Sequence, residues 1–144
     1  NAPEAGETRN RVAGMVKSTA LDVGQDAPRK DRAHGPIDME HLGRQALGDP
    51  GLQEEVLRLY ATMSQVYMGR IEDSTTIAML LEHLHTLKSA AAGIGAWGVR
   101  DLAKRTEDEL RSGQPANPER IEDIAMAVAE CVAFIDTMVE PQVG

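Results

Sequence analysis

Few side chains in this 144-residue chain can do chemistry near neutral pH: four histidines, one cysteine, and carboxylates set at helical spacing from a partner. His85 stands out by its surroundings. At about 100° per residue, Ile77, Leu80, Leu84, Leu87, Ala91 and Ile94 gather in one arc of about 100°, the stripe expected to be buried. His85 falls on the opposite side. One turn before it are Leu81 and Glu82, one turn after it Lys88 and Ser89, and two turns away Ala78 and Ala92. An imidazole is therefore exposed beside an ammonium, on a face of small and modestly apolar side chains. A free imidazole titrates near about 6.5, so one of its nitrogens is a neutral nucleophile at physiological pH.

The other candidates are weaker. Glu82-His83-Leu84-His85 contains the Glu-x-x-His spacing of di-iron helical bundles, but such a site needs a second copy and further glutamates in the core. Asp38 to His41 is only a distant imitation, and His85 points away from the stripe. His83 and His85 diverge by about 200° and do not converge on one metal, so His83 is expected at the bundle boundary. Cys131 has no adjacent base and reads as a small buried hydrophobe. Tyr60, Tyr67 and Trp97 are too few for a base-stacking platform and are expected in core or loop packing.

Helices must position these groups. Asp38 caps a short helix stopping at Gly48, with Met39, Leu42, Ala46 and Leu47 as its apolar side. Asp49 before Pro50 opens a helix in which Leu52, Val56, Leu59, Met63 and Val66 recur at three and four residues, with an end near Gly69. The helix of His85 starts at Asp73 or Ser74 and is stopped by Gly95. Another runs from about Gly98 to Ser112, ended by Gly113 and Pro115. Asn117 and Pro118 open the last, with Ile121, Ile124, Val128, Cys131 or Val132, Ile135 and Met138 as its stripe, reaching Pro141. The expected fold is all-α: an antiparallel four-helix bundle over residues 36–144 with a short additional N-terminal helix.

Composition agrees. The chain is 42 % hydrophobic but only 3 % aromatic, which favours an aliphatic helical core over a sandwich or barrel. One cysteine excludes an internal disulfide framework, and no apolar run approaches the roughly 20 residues of a membrane span. Net charge is −8; residues 1–35 carry six Lys/Arg against five Asp/Glu, so the acidity belongs to the helical part and disfavours a nucleic-acid partner. Residues 1–35, rich in Gly, Ala, Asp and Arg, read as a tail or linker. The start at Asn1, with no signal-peptide pattern, fits a processed chain or an excised piece of a larger protein.

The string His85-Thr86-Leu87-Lys88-Ser89-Ala90-Ala91-Ala92-Gly93-Ile94-Gly95-Ala96 resembles the histidine-containing phosphotransfer (HPt) domains of two-component phosphorelays. Their signature is His-x-Leu-Lys-Gly, then small residues, then an apolar-Gly pair. The resemblance extends from Pro36 to about Gly113, through Ile37-Asp38, the Gly48-Asp49-Pro50 turn, and Leu102, Ala103 and Glu107. One position departs: Ser89 stands where the family usually has Gly, which narrows the approach of a partner to the imidazole.

The resemblance implies that His85 accepts a phosphoryl group on Nε2 and that Lys88 offsets its charge. It implies that a glutamate on the next helix, Glu107, orients the second ring nitrogen; Glu82 competes for that role, and a solvated face accounts equally for the run Glu107-Asp108-Glu109. The implied partner is a response-regulator receiver domain, supplied by a hybrid sensor kinase, which brings its own aspartate, lysine and Mg²⁺. Docking would use Leu81, Glu82, Ser89 and Ala92, extended by Met39, Leu42 and Leu47 unless those pack in the core. The sequence offers no Gly-rich nucleotide loop and no carboxylate cluster for Mg²⁺, so no autonomous kinase activity and no cofactor of its own are expected. A cytoplasmic setting follows from the resemblance, and a bundle complete within one chain makes a monomer the simplest expectation. The alternative is a helical adaptor that keeps the scaffold without phosphotransfer.

Overall fold

The computed structural model describes residues 35–139; the sequence expectations for residues 1–34 and for the end at Pro141 lie outside them. Five helices follow in order: α1 (Met39–Gln45), α2 (Pro50–Asp73), α3 (Ile77–Ile94), α4 (Trp97–Arg111) and α5 (Pro118–Met138). Each of α2 to α5 packs against the next, and α2 closes the ring on α5, whereas the diagonal pairs do not meet. Connections of two to six residues make consecutive helices antiparallel. The short α1 lies across α2 and α3.

Most boundaries are written in local chemistry. Asp49 Oδ1 accepts from the Gly51 and Leu52 amides, with Pro50 in the first turn, and Asn117 Oδ1 accepts from the Glu119 amide, with Pro118 beside it. Gly95 ends α3 in the left-handed region at φ 84°, its amide and that of Ala96 returning to Ala91. A Cβ at Gly95 would lie 3.0 Å from Asp38 Cβ and 3.1 Å from Asp38 O, so the turn needs glycine for space as well as for φ. Asp38 joins α1 to this turn: its amide donates to Gly95 O, its Oδ1 accepts from the His41 amide, and its Oδ2 accepts from Trp97 Nε1 at 3.0 Å. The His41 ring meets Trp97 edge-on.

Three expected boundaries shift. α2 continues through Gly69 to Asp73, because an isolated glycine weakens a helix without ending it. α3 begins one turn later than Asp73 or Ser74: Thr76 is the cap, its Oγ1 accepting from the Met79 amide at 3.1 Å. Consequently Ile77, placed in the buried stripe, sits at the helix mouth and is exposed. α1 ends at Gln45, and Leu47, expected on its apolar side, is 88 % exposed with φ 56° as the chain turns toward Asp49.

The core is aliphatic: Leu80, Leu84, Leu87, Ala91 and Ile94 of α3 pack with Val99, Ala103 and Leu110 of α4 and Ile124, Val128, Cys131 and Ile135 of α5, while Ile37 and Leu42 seal one end. Cys131, rather than Val132, is the buried member on α5, and Met138 is exposed. Burial pushes the Cys131 thiol up to about 12, with the charge of Glu130 acting in the same sense. The largest correction concerns α2, whose buried face is Leu57, Tyr60, Ser64, Met68 and Ile71. In the expected stripe, Leu52, Leu59 and Val66 are exposed, Leu59 at 65 %, and Val56 and Met63 are only partly covered. α2 carries two apolar stripes, and the bundle buries the one that includes two polar side chains. Ser64 meets this cost by donating to Ala61 O; the Tyr60 hydroxyl has no hydrogen-bond partner, and burial holds its pKa above the ordinary value.

Candidate functional site: the seam between α3 and α4

The tight turn at Gly95 lays α4 antiparallel against α3, so that Glu107, three turns into α4, comes level with His85 and Lys88. The His85 side chain is 62 % exposed. Behind it lies Glu107, whose side chain has no exposure at all. One carboxylate oxygen, Oε1, is 2.7 Å from Lys88 Nζ; the other, Oε2, is 3.5 Å from His85 Nδ1 and 3.2 Å from a terminal nitrogen of Arg111. Neither oxygen accepts a hydrogen bond of good angle, so the surrounding cations provide the compensation that a buried carboxylate requires.

This arrangement has a definite chemical sense. A carboxylate behind Nδ1 favours the tautomer with hydrogen on that nitrogen, which leaves the lone pair on Nε2 facing solvent. At 3.5 Å the approach is an ion-pair distance, a few tenths of an ångström longer than a good hydrogen bond. Lys88 lies between the buried carboxylate and the surface, its side chain 24 % exposed. Nearby, Asp108 is held below the usual carboxylate range, chiefly by a hydrogen bond from Lys104, with the charges of Lys104, Lys88 and Arg111 acting in the same direction.

The structure thus brings His85, Lys88 and Glu107 together and leaves Glu82 exposed, while the carboxylate within ion-pair distance of the imidazole is that of Glu107. Leu81 and Ala92 are half-buried and Ser89 is exposed, all on the His85 side of α3. Of the three residues in and after α1 offered as an extension of this patch, Leu42 is fully buried and belongs to the core, Met39 packs partly against it, and Leu47 is exposed. His83 sits at the α2–α3 boundary, its ring edge-on to Tyr67 and its Nδ1 buried without a partner. Among the described residues, no group of three His, Cys, Asp or Glu is placed to hold a metal ion. The sequence reading missed Arg111, although it lies four residues after Glu107, the spacing at which helix side chains meet.

Comparison with known proteins decides the family. The Hpt domain family matches residues 52–139, more than half of the chain. The chain belongs to that family. No curated protein sequence matches it. Among solved structures, the histidine phosphotransferase ShpA from Caulobacter crescentus, solved at 1.52 Å, aligns with a TM-score of 0.56 at 23 % identity, covering 72 % of this chain and 90 % of that one. That likeness concerns the fold, an Hpt helical bundle. Family membership supports a phosphorelay role for this Hpt domain; members carry phosphoryl groups rather than act as kinases and interact with receiver domains. None of the described helices is long and apolar enough to cross a membrane.

Proposed function

We propose that this Hpt domain is a phosphorelay intermediate: His85 accepts a phosphoryl group from the aspartate of one receiver domain and passes it to another. The observation that carries the reading is an exposed imidazole backed at Nδ1 by a fully buried carboxylate, with an ammonium one turn away. In the forward step the Nε2 lone pair attacks phosphorus, the bond from phosphorus to the partner's carboxylate oxygen breaks, and that oxygen leaves with the bonding pair. Nδ1 keeps its hydrogen, and Glu107 offsets the positive charge that develops on the ring.

Lys88 is the cation available to the arriving phosphoryl oxygens. Mg²⁺ and the acidic site that binds it belong to the receiver, and the domain works as a monomeric carrier in the cytoplasm between a hybrid sensor kinase and a terminal regulator. Docking centres on Leu81, Glu82, Ser89 and Ala92 around His85, where the Ser89 hydroxymethyl restricts which receivers fit.

The test is transfer from a panel of radiolabelled phospho-receivers in Mg²⁺ to the wild type and to His85→Gln. The expected result is acid-labile, alkali-stable label on the wild type alone. Label that survives the substitution would remove His85 from its role, and no label from any receiver would favour an adaptor without phosphotransfer.

A further inference from the structure

Lys88 has two anions to serve. At rest its ammonium is 2.7 Å from Glu107 Oε1, and that carboxylate is completely enclosed. Once His85 carries a phosphoryl group, about two negative charges stand on the helix surface one turn away, within reach of the same ammonium. A lysine that turns outward to meet them leaves a buried carboxylate short of its nearest cation, which burial penalises heavily.

The second cation on Glu107 resolves this conflict. Arg111, one turn further along α4, reaches Oε2 at 3.2 Å, the oxygen that Lys88 does not hold. Its side chain is 55 % exposed, with the charged head at the edge of the site and Glu107 as its ion-pair partner among the described residues. Oε2 is also the oxygen facing His85 Nδ1, so whatever holds Oε2 sets the direction of the group that orients the ring.

We propose that Arg111 is a positioning residue that keeps Glu107 paired and aimed at His85 while Lys88 exchanges Glu107 for the phosphoryl group. The inference rests on His85 being the phosphoacceptor. In the phosphorylated state Oε2 faces the protonated ring and the guanidinium together, Oε1 is released, and Lys88 sits on the phosphoryl oxygens. Without Arg111, Lys88 stays on Glu107 and the phosphoryl group is less well neutralised.

The test uses the whole chain and a small-molecule donor, phosphoramidate, so that it needs no receiver: Nε2 attacks phosphorus, the phosphorus–nitrogen bond breaks and ammonia leaves. Wild type, Arg111→Ala, Arg111→Gln, Arg111→Lys and, as a general charge control, Lys104→Ala are compared after circular dichroism has confirmed their helicity. The ¹⁵N signal of the Lys88 side chain should move on phosphorylation in the wild type, in Arg111→Lys and in Lys104→Ala, and stay near its resting position in Arg111→Ala and Arg111→Gln. With a receiver that exchanges phosphoryl groups with the wild type, the partition should shift several-fold toward the receiver in Arg111→Ala and recover in Arg111→Lys. A Lys88 signal that moves equally in the wild type and Arg111→Ala overturns the exchange while leaving His85 as acceptor, and so does an equal loss in Lys104→Ala. A wild type that takes no phosphoryl group from phosphoramidate or any receiver overturns the His85 reading and this inference with it.

Discussion

Helix α4 presents two seams, and the same acidic run contributes to both. Toward α3, Glu107 is fully enclosed and shared by Lys88, Arg111 and the His85 ring. On the other side, two residues along, Glu109 meets Arg120 of α5 through two hydrogen bonds of 3.1 Å at a partly exposed edge. Both are carboxylate–cation contacts between neighbouring helices, yet they differ in what water can do. At the α5 seam solvent screens the charges, so the pair is a latch of small consequence. At the α3 seam the carboxylate cannot be solvated, so its charge must be met by protein groups, and one of those groups is an exposed imidazole. Burial of one carboxylate, rather than the number of charges, separates the seam proposed to react from the one that only holds two helices together.

The comparison breaks most completely at His85. His85→Gln should abolish labelling by a receiver while the melting temperature moves by no more than about 1–2 °C, as for an exposed residue making one long polar contact. The corresponding change at the other seam, Glu109→Gln, should leave labelling at the wild-type level. Loss of label in both variants would mean that both seams serve the acceptor.

Next in size is the turn that sets the spacing of α3 and α4. Gly95→Ala puts a Cβ against Asp38 in a left-handed backbone, which costs at least about 1–2 kcal/mol for the conformation alone. Denaturant unfolding should show that loss, with a larger one if the Asp38–Trp97 hydrogen bond also breaks. A variant as stable as the wild type would show that the turn relaxes and does not fix α3 against α4.

Glu107→Gln sharpens the contrast more finely. Removing the charge leaves Lys88 and Arg111 facing an amide, but both reach solvent, so the stability loss should be about 1–3 kcal/mol, less than for a pair buried on both sides. The transfer rate should fall about tenfold or more, the low end expected for losing a group that orients a reacting imidazole. NMR of the imidazole nitrogens should show the Nδ1–H tautomer losing its predominance. A normal rate with a mixed tautomer would reduce Glu107 to a structural counter-ion.

Much of this is legible in the sequence. The α3 stripe from Leu80 to Ile94, the caps at Asp38, Asp49 and Asn117, and the stop at Gly95 follow from periodicity and local hydrogen bonding, and all are present. An exposed His85 follows from the same wheel. The α2 face did not, because Leu52, Leu59 and Val66 repeat as regularly as Leu57, Tyr60, Met68 and Ile71, and periodicity cannot choose between two apolar stripes about 120° apart. The burial of Glu107 was equally hidden. Three consecutive acidic residues read as a solvated face, and only the packing of α3 on α4 turns the first of them inward. Arg111 then gains its meaning from that burial, which no spacing within α4 reveals.

The smallest expected effect lies at the outer seam and concerns pH. The hydrogen bond from Arg120 is the main reason the Glu109 carboxyl is held below the usual carboxylate range, with the charges of Arg120 and Arg105 adding to it. A carboxyl whose pKa is lower in the folded than in the unfolded chain contributes stability that is fully present above its ordinary value. That contribution is lost as pH falls through the folded value. Arg120→Gln removes it. The variant should therefore melt slightly below the wild type at pH 7, and the two melting curves should converge as the pH is lowered below about 4, the carboxylate range. Labelling of His85 at pH 7 should be unchanged. A gap in melting temperature that is the same at pH 7 and at pH 2 would show that Arg120 acts through the packing of its side-chain stem rather than through its charge. The outer seam would then be held by contact alone, and the contrast with Glu107 would become one between packing and electrostatics instead of between two degrees of burial of one kind of ion pair.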